Sequence, residues 1–172
     1  MEKKPRMTFI IMPVGLECNL ACKYCYHGVV AKAQKAFITM SDDILKRIIS
    51  EAPLLGVDVD FLWHGGEALL AGLDHFRSAV DFQRGVSFEG VVRNLLQSNL
   101  TLFNESYCNF FAKENFSLST SIDGGREAHD ANRIFINGRG TYGRVTDAVA
   151  MWRRKTGKRM GAVSGQTHTN LI

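Results

Sequence analysis

Hydrophobic and polar residues follow two periods along the chain, one typical of strands and the other of helices. Short apolar runs and period-two alternation predict strands over Met7–Pro13, Val57–Trp63, Val91–Gln97 and Phe116–Ile122. Apolar residues at helical spacing predict helices over Leu73–Arg84 and Asn104–Lys113, and two more capped by Ser41 and Thr141. Strand and helix thus alternate four times, which predicts parallel strands joined by crossover helices. A fifth strand is expected to begin within Met160–Ser164.

A polar or thiol-bearing motif follows each of the four predicted strands. These motifs are the Cys-rich segment 18–25, His64-Gly65-Gly66-Glu67, Gln97-Ser98-Asn99 and Ser121-Ile122-Asp123-Gly124. In parallel α/β folds the ligand site lies at the carboxyl ends of the strands, where the loops that follow them gather. We therefore expect the four motifs to form one site.

The composition excludes several classes of protein. A chain of 172 residues, 45% hydrophobic and 22% charged, is typical of one globular domain with a buried core. No apolar run is long enough to span a membrane, and the charged start has no signal core behind it, so a cytoplasmic protein is expected. The net charge of +4 is scattered apart from residues 153–155, where a helix dipole favours cations, so no nucleic-acid partner is predicted.

Three of the four cysteines, Cys18, Cys22 and Cys25, lie within eight residues. In a reducing compartment, clustered thiols indicate a metal site rather than disulfides. This spacing allows three thiolates to bind different irons of a four-iron cluster, which leaves one iron open to a small molecule.

Two alternatives involve the same thiols or the remaining cysteine. A zinc site completed by His27 or His64 is the alternative metal centre, although structural zinc sites usually present two separated pairs of ligands. Cys108 could supply a fourth ligand, but it shares a predicted apolar helix face with Phe111 and Ala112. Packing in the core is therefore the favoured interpretation of Cys108.

Taken together, the motifs resemble the radical S-adenosylmethionine (SAM) superfamily, in the branch of anaerobic sulfatase-maturating enzymes and related peptide maturases. Three features carry the resemblance: CNLACKYC at 18–25, WHGGE at 63–67, and SIDG at 121–124 followed by His129, Asp130 and Arg133. Their order and spacing match over residues 9–152.

The resemblance implies a fold and a set of cofactor ligands. The fold is α/β, a partial (βα) barrel of parallel strands with outer helices, truncated after about four βα units. Cys18, Cys22 and Cys25 would hold a [4Fe-4S] cluster whose free iron binds SAM. The SAM-binding residues would be Tyr24 against the adenine, Gly65 and Gly66 beside the methionine part, Glu67 for the ammonium, Ser121 through its hydroxyl, and Arg133 for the carboxylate.

The resemblance also implies an activity. An electron from a donor such as a flavodoxin or ferredoxin would cleave SAM, and the resulting radical would remove a hydrogen from a peptide or protein substrate. The outcome would be sulfatase maturation or a peptide crosslink. The alternative is a non-catalytic truncated relative that binds a cluster or SAM without turnover.

The chain departs from the family pattern at several places. Ala68 and Gly125 stand where the family usually has proline, and Leu100 replaces the glycine of a QTNG segment that includes Asn99. Two further βα units and a second Cys-rich region are missing, so residues 1–172 are expected to form an incomplete core domain, with 160–172 as an atypical tail. The chain is expected to be a fragment, and no catalytic base is assigned.

Overall fold

The computed structural model describes residues 4–27 and 38–165. Within these ranges, five strands form one sheet: β1 Arg6–Ile11, β2 Asp58–Trp63, β3 Val92–Ser98, β4 Ser117–Ser121 and β5 Gly161–Val163. Five α-helices connect them: α1 Asp42–Glu51, α2 Leu73–Arg84, α3 Glu105–Lys113, α4 Arg126–Asn132 and α5 Tyr142–Thr156. Two short 3-10 helices, Ala52–Leu55 and Ala68–Ala71, lie before and after β2. The strands lie in chain order, and every neighbouring pair is parallel. The prediction of a parallel α/β partial barrel with outer helices is confirmed.

Most predicted elements are present, and two details differ. Ser41 caps α1 by accepting a hydrogen bond from the Ile44 amide, as expected, whereas the Thr141 side chain does not cap α5. Helix α4 was not predicted, because the sequence REAHDAN carries no apolar stripe. The fifth strand is present, but residues 166–172 of the predicted tail lie outside the described part of the chain.

The core lies between the sheet and the outer helices. Val59, Phe61 and Trp63 alternate along β2 and are fully buried against this layer. Phe111 lies at its centre, with ring centroids 5.2 Å from Phe76 and 4.7 Å from Phe116. Burial of such large apolar side chains is the main driving force for the fold.

The opposite face of the sheet carries rows of aligned side chains. Successive residues of a strand point to opposite faces of the sheet, so the neighbours of the core residues lie on this second face. The register of the strands aligns these neighbours into rows. At the amino ends, Asp60 and Arg93 are register partners and the Arg6 side chain reaches Asp60, so the three form a charged row. Ile10, Leu62 and Leu95 are aligned by the register into an apolar row above it. Polar residues from the predicted motifs follow at the carboxyl ends.

Asp60 joins the first three strands at this charged row. Its carboxylate is almost fully buried and accepts hydrogen bonds from Arg6 Nη1 and Arg93 Nε, each at 2.7 Å, and from Arg93 Nη2. Arg6 also pairs with Asp58 at 2.8 Å. Arg93, and then Arg6, hold the pKa of Asp60 below its ordinary value despite burial.

We expect Asp60→Asn to reduce the free energy of unfolding by about 2 kcal/mol at neutral pH, because two guanidinium groups lose their anionic partner. The folded pKa of Asp60 is depressed, so its contribution is present above the unfolded pKa and is lost as pH falls through the folded value. The difference in free energy of unfolding between the parent and Asp60→Asn should therefore become smaller below about pH 4. Denaturant titrations at several pH values measure it.

Asp147→Asn is the matched control, because Asp147 is exposed on α5. It should change stability little. An equal loss in both variants, or a gap that does not depend on pH, would contradict the assignment.

Candidate functional site

The four motifs meet at one cavity of about 360 Å³ at the carboxyl ends of the strands. Its lining includes the three thiols Cys18, Cys22 and Cys25 with Tyr24, Tyr26 and His27, then His64, Gly65 and Gly66, Gln97, Ser98 and Asn99, Ser121, Arg133, and the apolar Leu20, Leu62 and Val163. A second, more open concavity of about 470 Å³ lies on the outer surface between α2 and α3, away from the strand ends. The structure therefore brings together the segments that the sequence analysis expected to form one site.

The Cys-rich loop, residues 18–25, follows β1 and is held by the end of α4 and the residues after it. Its backbone pairs with the segment after α4 through Ala21 N to Ile134 O at 2.8 Å and Lys23 N to Asn132 O at 3.0 Å. Burial raises the pKa of the Cys18 thiol to about 11, and burial also raises the pKa of Cys22. Without a bound cation these thiols are protonated at neutral pH, so their thiolate forms need the positive charge of a metal.

The geometry also bears on the alternative metal site. Among residues 4–27 and 38–165, no three or more His, Cys, Asp or Glu side chains are arranged to hold a single metal ion. The Nδ1 atom of His64 accepts from the Gly65 amide at 2.6 Å. Cys108 is fully buried on α3, so it packs in the core as expected.

Gly65 and Gly66 form a close backbone contact with residues 15–17, which lead into the Cys-rich segment 18–25. The Gly66 amide donates to Gly15 O at 2.9 Å, and a Cβ atom on Gly66 would lie 2.1 Å from Glu17 O. Gly65 has a φ of 108°, and its Cβ would lie 2.5 Å from Gly15 O. Both glycines are required for this contact, and both line the cavity. Their contact with the methionine part of SAM stays a prediction.

Glu67 is a buried carboxylate that links two loops. Its Oε1 accepts from the Leu69 amide at 3.0 Å and the Ser98 hydroxyl at 2.7 Å, and its Oε2 accepts from the Asn99 amide at 2.7 Å. Burial raises the pKa of Glu67, and these three hydrogen bonds oppose the rise. Glu67 does not line the cavity. Its predicted contact with the SAM ammonium is therefore untested.

Asp123 was not predicted as a site residue, yet it organises one wall of the cavity. Its fully buried carboxylate accepts from the Tyr24 hydroxyl, from Arg133 Nε at 3.0 Å and from the Gly165 amide at 2.9 Å. Arg133 lies over the Tyr24 ring, 5.2 Å from its centroid. A carboxylate directly after a parallel strand was the signal that could have identified Asp123.

His129 on α4 supports this wall from behind. It is fully buried, and burial lowers its pKa, so its ring is neutral at pH 7. Nδ1 accepts from the Asp123 amide at 3.3 Å, and Nε2 lies 2.9 Å from the Thr141 hydroxyl, which in turn donates to Arg133 O at 2.8 Å. Thr141 thus connects His129 to Arg133 instead of capping α5.

The turn after β3 carries an unusual backbone. Leu100 has a φ of 59°, in the left-handed region that favours glycine, and its side chain is fully buried. Its amide donates to the Ser98 hydroxyl at 2.9 Å.

At the next strand, Ser121 lines the cavity and accepts from Gln97 Nε2 at 3.0 Å. The predicted contact of Ser121 with SAM stays a prediction.

A family model described as the radical SAM superfamily matches residues 12–169. The chain belongs to the radical SAM superfamily. A serine-type anaerobic sulfatase-maturating enzyme of Bacteroides thetaiotaomicron is 33% identical to it over 149 residues, which are 84% of this chain and 36% of that enzyme. A cysteine-type anaerobic sulfatase-maturating enzyme of Clostridium perfringens is 31% identical over 157 residues, which are 87% of this chain and 42% of that enzyme.

A solved structure is also similar to this radical SAM chain. Native anSMEcpe with bound AdoMet and Kp18Cys peptide superposes with a TM-score of 0.82 at 30% identity, covering 92% of this chain and 43% of that one. The chain therefore spans about two fifths of the length of these relatives. The described helices include none that is both long and apolar enough to cross a bilayer.

The residues around the cavity fit the two cofactors of the radical SAM superfamily, a [4Fe-4S] cluster and SAM. The three thiols Cys18, Cys22 and Cys25 all line the cavity, and thiolates are the ligands that hold iron-sulfur clusters. The rest of the cavity presents an aromatic ring, a guanidinium group and closely packed glycine backbone. These are groups suited to an adenine, a carboxylate and a polar chain.

In this radical SAM chain, Gly66→Ala should reduce the free energy of unfolding by about 3 kcal/mol or more, because the new methyl group overlaps a backbone carbonyl that cannot move freely. Gly143→Ala is the control: its Cβ would meet only ordinary contacts in the first turn of α5, where alanine favours the helix. Denaturant unfolding of both variants measures the difference. Equal effects would show that the loop contact is looser than described.

Leu100→Gly and Leu100→Ala should each reduce the free energy of unfolding, measured by denaturant titration, by about 3 kcal/mol, because each removes a buried side chain. The glycine variant should be the more stable of the two by about 1 kcal/mol, because only glycine adopts the left-handed backbone without strain.

Leu45 provides the matched pair, since it is equally buried but lies within helix α1. There the order should reverse, with Leu45→Gly less stable than Leu45→Ala by about 1 kcal/mol. The same order at both positions would mean that Leu100 is not strained.

Proposed function

We propose that this chain binds a [4Fe-4S] cluster through Cys18, Cys22 and Cys25, binds SAM beside it, and acts in the radical modification of a residue in a peptide or protein. The observation that carries the proposal is that the three thiols line the same cavity as Tyr24 and Arg133. Residues 1–172 would act as part of a radical SAM core domain, in which β5 pairs with β4. The proposed location is the cytoplasm, because a reducing compartment keeps such thiols free of disulfides.

The bound cofactors would supply one-electron chemistry and a radical able to remove a substrate hydrogen. The chain's own residues would orient SAM and exclude water. Burial and the hydrogen bond to Asp123 raise the pKa of Tyr24, so its hydroxyl stays protonated and keeps donating to that carboxylate. This bond fixes the hydroxyl end of the ring that would meet the adenine, and the Arg133 guanidinium group packs over the face of the ring.

Arg133 would recognise the carboxylate of SAM. Within the described part of the chain, its contact with Asp123 uses Nε. A guanidinium group has five N–H donors, so both Nη groups remain for the SAM carboxylate. Asp123, His129 and Thr141 hold the backbone and side chain of Arg133 in place. The Ser121 hydroxyl and the backbone at Gly65 and Gly66 would complete the SAM site. Glu67 is buried outside the cavity lining, so the predicted contact with the SAM ammonium would require its carboxylate to give up hydrogen bonds to the loop after β3.

The substrate class in this proposal follows from the relatives. Two of them are serine-type and cysteine-type anaerobic sulfatase-maturating enzymes, and anSMEcpe was solved with a Kp18Cys peptide. Sulfatase maturation, in which a Cys or Ser residue is oxidised, is therefore the leading reaction, with peptide crosslinking as the other member of the class. A flavodoxin or ferredoxin would deliver the electron.

Anaerobic reconstitution of the 172-residue chain with iron and sulfide tests the proposal. The parent should bind a four-iron cluster and, when reduced with dithionite, convert SAM to 5'-deoxyadenosine and methionine. Cys22→Ala should lose the cluster, because two thiolates remain at the site. Cys108→Ala is the matched control and should keep it, because Cys108 lies in the core.

Three results would contradict parts of the proposal. Zinc without iron or sulfide in anaerobically purified protein would select the zinc site. A cluster without SAM cleavage would select the non-catalytic relative. Equal iron loss in the Cys22 and Cys108 variants would remove the assignment of the ligands.

A further inference from the structure

The side-chain amide of Asn99 has a single possible orientation. Its Oδ1 accepts from the Thr101 amide at 2.9 Å and from the Thr101 hydroxyl at 2.7 Å. A backbone N–H can only donate, so the atom that faces it must be the oxygen and not the nitrogen. The NH₂ group of Asn99 therefore points the other way, toward the Cys-rich loop.

Both protons of this NH₂ group have acceptors. Nδ2 of Asn99 lies 3.0 Å from Asn19 Oδ1 and 3.7 Å from the sulfur of Cys18. Asn19 is itself oriented, because its Nδ2 donates to the Thr101 hydroxyl at 2.8 Å. Asn99, Asn19 and Thr101 thus form a closed ring of hydrogen bonds, and the remaining Asn99 proton is directed at Cys18.

The backbone of Asn99 is fixed as firmly as its side chain. Its amide donates to Glu67 Oε2 at 2.7 Å, and the next residue is the strained Leu100. Thr101 and Leu100 are both buried. The donor therefore lies on a rigid turn, and it approaches Cys18 from a part of the chain 81 residues away.

The Cys18 sulfur then receives two N–H donors, the Leu20 amide at 3.4 Å and Asn99 Nδ2. Hydrogen bonds to the thiolate ligands of an iron-sulfur cluster stabilise its more negative, reduced state and so raise the reduction potential. The backbone donor is available to any residue at position 20, whereas the second donor depends on the side chain at position 99.

We propose that Asn99 is a positioning residue that donates an N–H···S hydrogen bond to the cluster ligand Cys18 and thereby raises the reduction potential of the cluster. This inference rests on the proposed function, because it requires the cluster to be bound through Cys18. The sequence motifs assigned Asn99 no role of its own, because only its likeness to a family segment marked it.

The test is a redox titration of the anaerobically reconstituted 172-residue chain, followed by electron paramagnetic resonance of the reduced cluster. Asn99→Ala should shift the midpoint to a more negative potential. At the parent's midpoint, the ratio of reduced to oxidised cluster should fall about three- to tenfold, the factor given by one hydrogen bond of ordinary net strength. Iron and sulfide contents must match those of the parent.

Two further variants separate this role from a structural one. Asn99→Asp keeps an acceptor for Thr101 but replaces the donor with an anionic oxygen beside Cys18, so its potential should fall at least as far as that of the alanine variant. Thr101→Val loosens the ring of hydrogen bonds among Asn99, Asn19 and Thr101 but keeps the Asn99 donor to sulfur. Its ratio of reduced to oxidised cluster should stay within about twofold of that of the parent.

An unchanged potential in fully loaded Asn99→Ala would overturn the inference, as would an equal shift in Thr101→Val. Loss of the cluster in both Asn99 variants, with Thr101→Val still loaded, would also overturn it, because Asn99 would then act in cluster assembly. If the parent binds no iron, the proposed function fails instead, so the two failures are distinguishable.

Discussion

Two buried carboxylates determine how the loops of this site fit together. Glu67 and Asp123 are both almost completely removed from water, and a carboxylate in such a place must have donors around it. Glu67 obtains them from the loop after β3, and Asp123 obtains them from Tyr24 and Arg133. Each carboxylate therefore draws segments that are distant in sequence to one point, and the cavity lies between those points.

The sequence predicted the elements that apolar periodicity controls. Helix α2 begins and ends at the predicted residues, and β1 to β4 lie within two residues of the predicted strands. The convergence of the four motifs followed from one topological rule about parallel sheets. These features depend on local pattern and on general geometry, both of which a single sequence contains.

Features that depend on a distant partner could not be predicted in the same way. Helix α4 has a polar sequence, and it positions His129 beneath Asp123. The left-handed backbone of Leu100 contradicts the preference of leucine, because burial of its side chain outweighs the local cost. The contact of Asn99 with Cys18 requires both loops to be in place. Each case is a tertiary interaction that overrides local propensity.

The contact between Gly66 and residues 15–17 has a consequence for how this protein can change. Gly66 meets the carbonyl groups of Leu16 and Glu17, and its hydrogen bond goes to the carbonyl of Gly15. Carbonyl groups are common to all residues, so the contact places no demand on the side chains at positions 16 and 17. Tolerance to mutation is thus uneven across this interface. Position 66 accepts only glycine, whereas positions 16 and 17 can vary and alter the mouth of the cavity without disturbing the loop that carries the thiols.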